Sequence, residues 1–223
     1  MYIHKEGYRL IFWLGLVVVV LIALMALAIH PWNVYHYLVA AVFLAVWLAF
    51  ASFFRIPRRE FVYDEDAMMA PADGTVCVIE ETVEEEYLHG PCLQVSVFMY
   101  GTDVHVNRYP VSGRIEYVCY HKGNYFNASY PKSSVLNEHS SVGMVTSRGE
   151  RILIRQIAGV MARRICCYAK AGEEVRQNQE LGFIKFGSRV DLFVPLGTEV
   201  HCRLKEQVYN GITKLCAAQP TRQ

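Results

Sequence analysis

The chain has 223 residues, 22 Lys and Arg against 21 Asp and Glu, and a formal net charge of +1. That length suits one ordinary domain plus an extra segment, and the near-neutral balance excludes nucleic-acid binding through a global positive field. Hydrophobic residues reach 53% because the first quarter is almost pure hydrocarbon, while the rest has an ordinary globular balance.

In chain order, LIFWLGLVVVVLIALMALAI (10–29) carries no charge. At about 1.5 Å per residue such a helix crosses a bilayer core of roughly 30 Å. HPWN (30–33) breaks the pattern, and VYHYLVAAVFLAVWLAFASFF (34–54) reads as a second span. Two spans joined by so short a connection form a hairpin with both outer ends on one side. Lys5 and Arg9 precede it, Arg55, Arg58 and Arg59 follow it, and the connection has neither Lys nor Arg. The positive-inside rule then places both ends in the cytoplasm, at the inner face of the cell membrane. A cleaved signal peptide would have a shorter apolar core, a small-residue cleavage site and no second span. Residues 1–59 are therefore expected to be a membrane hairpin and 60–223 a separate domain.

That second part is cut into short segments by glycines, prolines and polar clusters. GTVCVIEETV, CLQVSVFM, GRIEYVCYH, RILIRQIAG, RICCYAKAG, ELGFIKFG, VDLFVP and EVHCRLK have strand length and period-two or continuous apolar character. No long amphipathic helix interrupts them, although GVMARRI has room for a helical turn. The expected fold is mostly β, a compact sandwich or barrel. AKAGEEVRQNQELGFIKFG has the rhythm of the hairpin in lipoyl- and biotinyl-type carriers, but its tip, RQNQ, lacks the Lys that a carrier would modify. The seven cysteines form no CxxC pair. They read as reduced thiols in a reducing compartment, and no metal site is expected.

Four places have side chains suited to chemistry. Asp73 lies in APADGTV, where it either caps a turn or acts as a carboxylate. YGTDVHVNRYPVSG (100–113) holds Asp103, His105, Asn107 and Arg108; if extended, it puts His105, Asn107 and Tyr109 on one face, where a histidine could shuttle protons. Arg163 and Arg164 in QIAGVMARRI form a pair able to grip a phosphate, or simply a solvated or carboxylate-bridged pair. Finally, Gly187-Ser188 interrupts IKFGSRVDLFVP and is followed at once by an Arg and an Asp within an apolar stretch. It is either a turn or a bond poised to break. Glycine leaves its carbonyl accessible to the serine hydroxyl. Attack gives an ester by N-to-O acyl shift, elimination across the serine Cα–Cβ bond releases the upstream chain, and hydrolysis of the enamine leaves a pyruvoyl group.

Taken together, PADGTV, DVHVNRYPVSG, GNYFNASYPKSS, NEH, QIAGVMARRI and GFIKFGSRVDLFVP resemble, in this order, the short (archaeal-type) form of the phosphatidylserine decarboxylase proenzyme family, over residues 60 to 200. The resemblance implies a carboxy-lyase. Its proenzyme would cut itself between Gly187 and Ser188 into a β chain (1–187) and an α chain (188–223) that remain a heterodimer, with room for a higher oligomer. Ser188 would become the covalent pyruvoyl cofactor. Phosphatidylserine in the membrane would form a Schiff base with it and leave as phosphatidylethanolamine and CO2. Asp73 matches the family's PADG aspartate, associated with self-cleavage, and His105 the first histidine of its D-x-H block. Where longer members have a second histidine, this chain has Arg108, so the base for self-cleavage is not transferable. Arg163 and Arg164 are candidates for the substrate phosphate. The alternative is a non-catalytic membrane-anchored adaptor or carrier built on the β domain, which would stay uncut.

Overall fold

A computed structural model of the chain describes residues 1–29, 31–128, 133–160, 164–185 and 188–218. Two compact units divide it, Met1–Arg59 and Glu60–Gln223.

The first unit is a helical hairpin. Its elements are β1 (Tyr2–Ile3), α1 (Lys5–Ala28), α2 (Val34–Phe53) and β2 (Arg55–Ile56). The mean hydropathy of the apolar windows is 3.1 in α1 and 2.0 in α2, and none of either window is buried. Such surfaces are stable only in a nonpolar solvent, so the unit associates the chain with a membrane. Polar caps stop fraying at the ends. The His4 ring accepts from Glu6 N–H at the start of α1, and Asn33 and His36 form a reciprocal capping box at the start of α2. Between the helices, Trp47 Nε1 donates to the Ile11 carbonyl at 3.0 Å, opposite Gly15. β1 and β2 pair antiparallel, tying the two outer ends together. α1 and α2 cover the two apolar stretches, and α1 begins ahead of the first because Lys5, Glu6 and Arg9 continue the helix beyond its hydrocarbon run.

The second unit is mostly β. In chain order it comprises β3 (Ala67–Met69), β4 (Gly74–Glu84), β5 (Gly90–Met99), β6 (Val106–Arg108), β7 (Gly113–His121), α3 (Ser133–Leu136), β8 (His139–Thr146), β9 (Arg151–Ala158), β10 (Ile165–Cys167), β11 (Glu174–Val175), β12 (Glu180–Ile184), β13 (Ser188–Pro195), β14 (Gln207–Val208) and β15 (Lys214–Ala217). One curled sheet runs β11-β7-β8-β9-β13-β5-β4-β14, a smaller one runs β10-β12-β6, and β15 pairs with β3. All these strand pairs are antiparallel. The main core packs the inner face of the large sheet (Val97, Met99, Ile115, Ile154, Val190 and Leu192) against Ile165, Leu181 and Ile184 of the small sheet. Strand alternation sends the neighbouring residues of β13, Arg189, Asp191 and Phe193, to the opposite face.

Seven of the eight expected strands form at or within a few residues of their expected places; EVHCRLK makes only an isolated bridge at Val200. β8 was not anticipated. Its Ser140 and Ser141 look like loop residues, yet both are buried, because Gln156 and Glu86 accept their hydroxyl protons. β11 and β12 flank the RQNQ turn but join different sheets, with Asn178 in the left-handed region (φ 67°). The expected helical turn in GVMARRI lies partly outside the described residues. All seven cysteines are free thiols.

Candidate active site

Ser188 opens β13, a central strand paired with β5 from Ser188↔Met99 to Pro195↔Cys92 and with β9 from Ser188↔Ala158 to Phe193↔Leu153. It is fully buried, and its Oγ lies 3.9 Å from Met99 Sδ. Gly187 lies outside the described residues. Immediately beyond the serine is a charge pair that the apolar surroundings make conspicuous. Arg189 Nε donates to Asp191 Oδ1 at 2.5 Å and Nη2 to Oδ2 at 2.9 Å, both side chains being 0% exposed. Burial works against the guanidinium charge, and the Asp191 carboxylate more than offsets it. Ser134 Oγ adds a third bond to Asp191 at 2.6 Å. The sequence shows the two charges only as an Arg and an Asp within an apolar stretch; their closed pairing is a feature of the fold.

Asp73 sits in a turn beside β6. Its Oδ1 accepts the Asn210 N–H at 2.9 Å, while Asn210 Nδ2 reaches the Val106 carbonyl. The glycine that follows Asp73 is required there. Gly74 has φ +151°, and a Cβ on it would lie 2.1 Å from the Phe98 carbonyl oxygen. The neighbouring Pro71 carbonyl accepts from Arg108 N–H, so a backbone hydrogen bond joins the PADG turn to the strand that follows the D-x-H residues.

His105 is fully buried, just ahead of β6. Its Nδ1 lies 2.9 Å from the carbonyl oxygen of Asp103. A carbonyl only accepts, so Nδ1 carries the hydrogen, and Nε2 is the basic nitrogen of the uncharged tautomer that this contact selects. The Asp103 carboxylate is engaged elsewhere, accepting Tyr100 N–H. The His105 backbone carbonyl accepts from Ile184 N–H, and its ring lies 6.3 Å from that of Phe183. The histidine is thereby held against the end of β12, in the chain segment leading to Ser188. Arg108, at the position of the second histidine, donates Nη1 to the Asn178 carbonyl at 2.8 Å and stacks on Phe61 at 4.4 Å.

The arginine pair divides differently. Arg163 lies outside the described residues. Arg164 is exposed, and its carbonyl accepts from Lys185 N–H at 3.3 Å.

The outer face of the sheet holds a second polar cluster. Arg155 bonds Glu84 at 3.0 Å and Glu86 at 2.7 Å, His121 Nε2 donates to Glu86 at 2.6 Å, and the rings of His121 and His139 stack at 4.5 Å. Burial opposes the Glu86 charge, but hydrogen bonds from His121 and Ser141, with the Arg155 charge, hold its carboxyl down at about 2 against an ordinary 4.5. Burial also lowers the pKa of His139 below its ordinary 6.5. Both groups bind protons more weakly in the folded state, so both stabilise the fold at high pH and lose that contribution on acidification. The thermal midpoint of the solubilised full chain is expected to fall as pH drops below 6.5, through His139, and to fall further between 4.5 and about 2, through Glu86. Glu86→Gln should flatten the lower window; an unchanged acid limb in that variant would refute the assignment.

These features can be set beside known proteins. The sequence model of the family described as phosphatidylserine decarboxylase matches residues 47–215. A phosphatidylserine decarboxylase proenzyme of Parabacteroides distasonis is 42% identical over 216 residues, covering 96% of this chain and 98% of that one. One of Bacteroides thetaiotaomicron is 46% identical over 199 residues, covering 89% and 87%. One of Amoebophilus asiaticus is 44% identical over 173 residues, covering 78% and 76%. With its β domain, its buried serine at the head of a central strand and its apolar N-terminal hairpin, this chain belongs to the phosphatidylserine decarboxylase family.

Proposed function

We propose that the chain decarboxylates phosphatidylserine to phosphatidylethanolamine and CO2, using a covalent pyruvoyl group that it makes by cutting itself between Gly187 and Ser188. The observation that carries this reading is a fully buried serine opening a central strand in a chain of this family. The residues fit the group. Ser188 supplies its carbon atoms, and its side chain is fully buried, so water competes little with the acyl shift. The α chain, 188–223, would contain β13, β14 and β15, which pair with β5, β9, β4 and β3 of the β chain. Cutting ahead of β13 therefore breaks none of these strand pairings, and the two chains stay together as a heterodimer.

When formed, the pyruvoyl group supplies the electron sink for loss of CO2. The surrounding residues handle protons and position. During self-cleavage the Ser188 hydroxyl attacks the preceding carbonyl, and a base must take its proton. Asp73, oriented by Asn210 N–H, and His105, with Nε2 as its basic nitrogen, are the groups proposed for this step and for proton transfer in decarboxylation. Arg108 has no part in proton transfer, because a guanidinium does not deprotonate at neutral pH. His105→Ala is expected to lower decarboxylation by about 100-fold or more; full turnover in that variant, measured as phosphatidylethanolamine formed from vesicles, would remove the histidine from the mechanism. Arg163 and Arg164 are proposed to hold the lipid phosphate. Arg164→Gln should raise KM several-fold and leave self-cleavage unchanged, whereas an unaltered KM rules Arg164 out.

We also propose the short form of the family, since 98% of the bacterial Parabacteroides relative is covered by this 223-residue chain. The basic residues flanking both spans, and their absence from the connection, support a catalytic domain on the cytoplasmic face of the cell membrane. Intact mass spectrometry of the purified protein tests the central claim. A fragment beginning at position 188, one ammonia lighter than its sequence, is the expected result, and a full-length chain alone would overturn it.

A further inference from the structure

Among the described residues, one line of buried polar side chains runs through the apolar core toward Ser188. Asn107 on β6 and Gln156 on β9 are fully buried, and Ser140 on β8 is 1% exposed. Ser140 Oγ donates to Gln156 Oε1 at 2.8 Å, and Gln156 Nε2 donates to Asn107 Oδ1 at 2.7 Å. Asn107 Nδ2 then faces Met99 Sδ at 3.6 Å, the same sulfur that lies 3.9 Å from Ser188 Oγ. The order of the line is set from the sulfur end. A thioether only accepts, so Asn107 must turn its NH2 toward Met99 and its oxygen toward Gln156.

The fold makes room for this line. Gly182 on β12 is the residue facing it, and a Cβ there would lie 2.9 Å from Gln156 Nε2 and 2.0 Å from the Cys166 carbonyl oxygen. Stability does not call for such an arrangement. Two buried carboxamides that satisfy each other gain little over an apolar pair of the same shape, while either one alone is costly. Strand register adds the second clue. Ser188 pairs with Met99 on one side and Ala158 on the other, and Gln156 is two residues along β9 from Ala158, on the same face.

We propose that Asn107 and Gln156 are positioning residues for the chemistry at Ser188, acting through Met99. The line Ser140–Gln156–Asn107 fixes the Met99 thioether, and the thioether fixes the rotamer from which the hydroxyl attacks. Sulfur suits this role because it is a weak acceptor and leaves the hydroxyl proton available to a base. The proposal rests on Ser188 as the reacting serine.

The test follows self-cleavage of the full chain over time, by mass, together with its thermal midpoint. Asn107→Leu and Gln156→Leu should each lower the midpoint, because each strands one carboxamide. The double Leu variant, with Ser140→Ala beside it so that no buried hydroxyl loses its acceptor, should recover the midpoint yet cut at least ~10-fold more slowly than wild type. Met99→Leu, which nearly conserves volume, should slow cleavage with little change in midpoint. A wild-type cleavage rate in the double variant or in Met99→Leu would overturn the proposal and leave the line a packing feature. Ser188→Ala, run beside them, separates the two readings. If it is cut, the assignment of Ser188 falls and the positioning role with it; if it stays intact while the double variant cuts normally, only the positioning role falls.

Discussion

Ser188→Ala is expected to give a single uncut chain with no measurable decarboxylation. In the proposed mechanism the hydroxyl of residue 188 opens the bond to Gly187 and the pyruvoyl carbonyl derives from the same residue, so one substitution removes both the cleavage and the electron sink. Loss of the electron sink alone should cost many orders of magnitude, since none of the described side chains of the site can accept the electron pair left by CO2. Folding should be almost untouched. Among the described residues Ser188 Oγ makes one weak polar contact, to Met99 Sδ, and alanine fits the same backbone. The variant is thus a clean precursor, and its thermal midpoint should match or exceed that of the cut enzyme. Gel mobility, intact mass and lipid turnover on one preparation decide the matter. A cut chain in Ser188→Ala would sink the mechanism, and an uncut wild-type chain that still turns over would separate activity from cleavage.

Asp191→Ala should be the most destabilising single change in the β domain. It strips the carboxylate from a guanidinium that is 0% exposed and leaves a buried charge without its counter-ion. Breaking a buried pair from one side costs about 3–5 kcal/mol, a large share of the roughly 5–15 kcal/mol that holds a typical domain together. The effect should spread, because Ser134 Oγ also binds Asp191, and Arg189 Nη1 also donates to the Ala128 carbonyl. One ion pair thus ties β13 to the residues on both sides of the 129–132 segment. An apolar replacement of both partners, Arg189→Met with Asp191→Leu, should recover much of the loss. Denaturant unfolding of the uncut Ser188→Ala background measures both variants without interference from cleavage. A loss below about 1 kcal/mol in Asp191→Ala would mean that water or another anion reaches Arg189.

The membrane hairpin was legible because hydrophobicity over a helix length is a one-dimensional property. The strand pattern was legible for the same reason wherever apolar residues alternated or ran on, as in β4, β5, β7, β9 and β13. It failed at β8, where buried Ser140 and Ser141 depend on partners 16 and 55 residues away, and at EVHCRLK, where apolar character did not bring a strand. Asp73, His105 and Ser188 could be named from motifs, whereas the partners that orient them could not. Asn210 on Asp73, the Asp103 carbonyl on His105 Nδ1 and Met99 beside Ser188 are backbone or distant contacts with no local signature. The line through Ser140, Gln156 and Asn107 shares that character, since each polar group there is tolerable only in the presence of the next.

By itself, then, the order of residues determined that this protein has a membrane-seeking end, a β domain and a Gly-Ser pair in an apolar stretch, because hydropathy, periodicity and motif identity are written along one chain. Tertiary structure alone decided which polar groups are buried together. Burial and hydrogen-bond satisfaction are properties of pairs, and the pairs that surround Ser188 are drawn from strands far apart in sequence and adjacent only in the folded sheet.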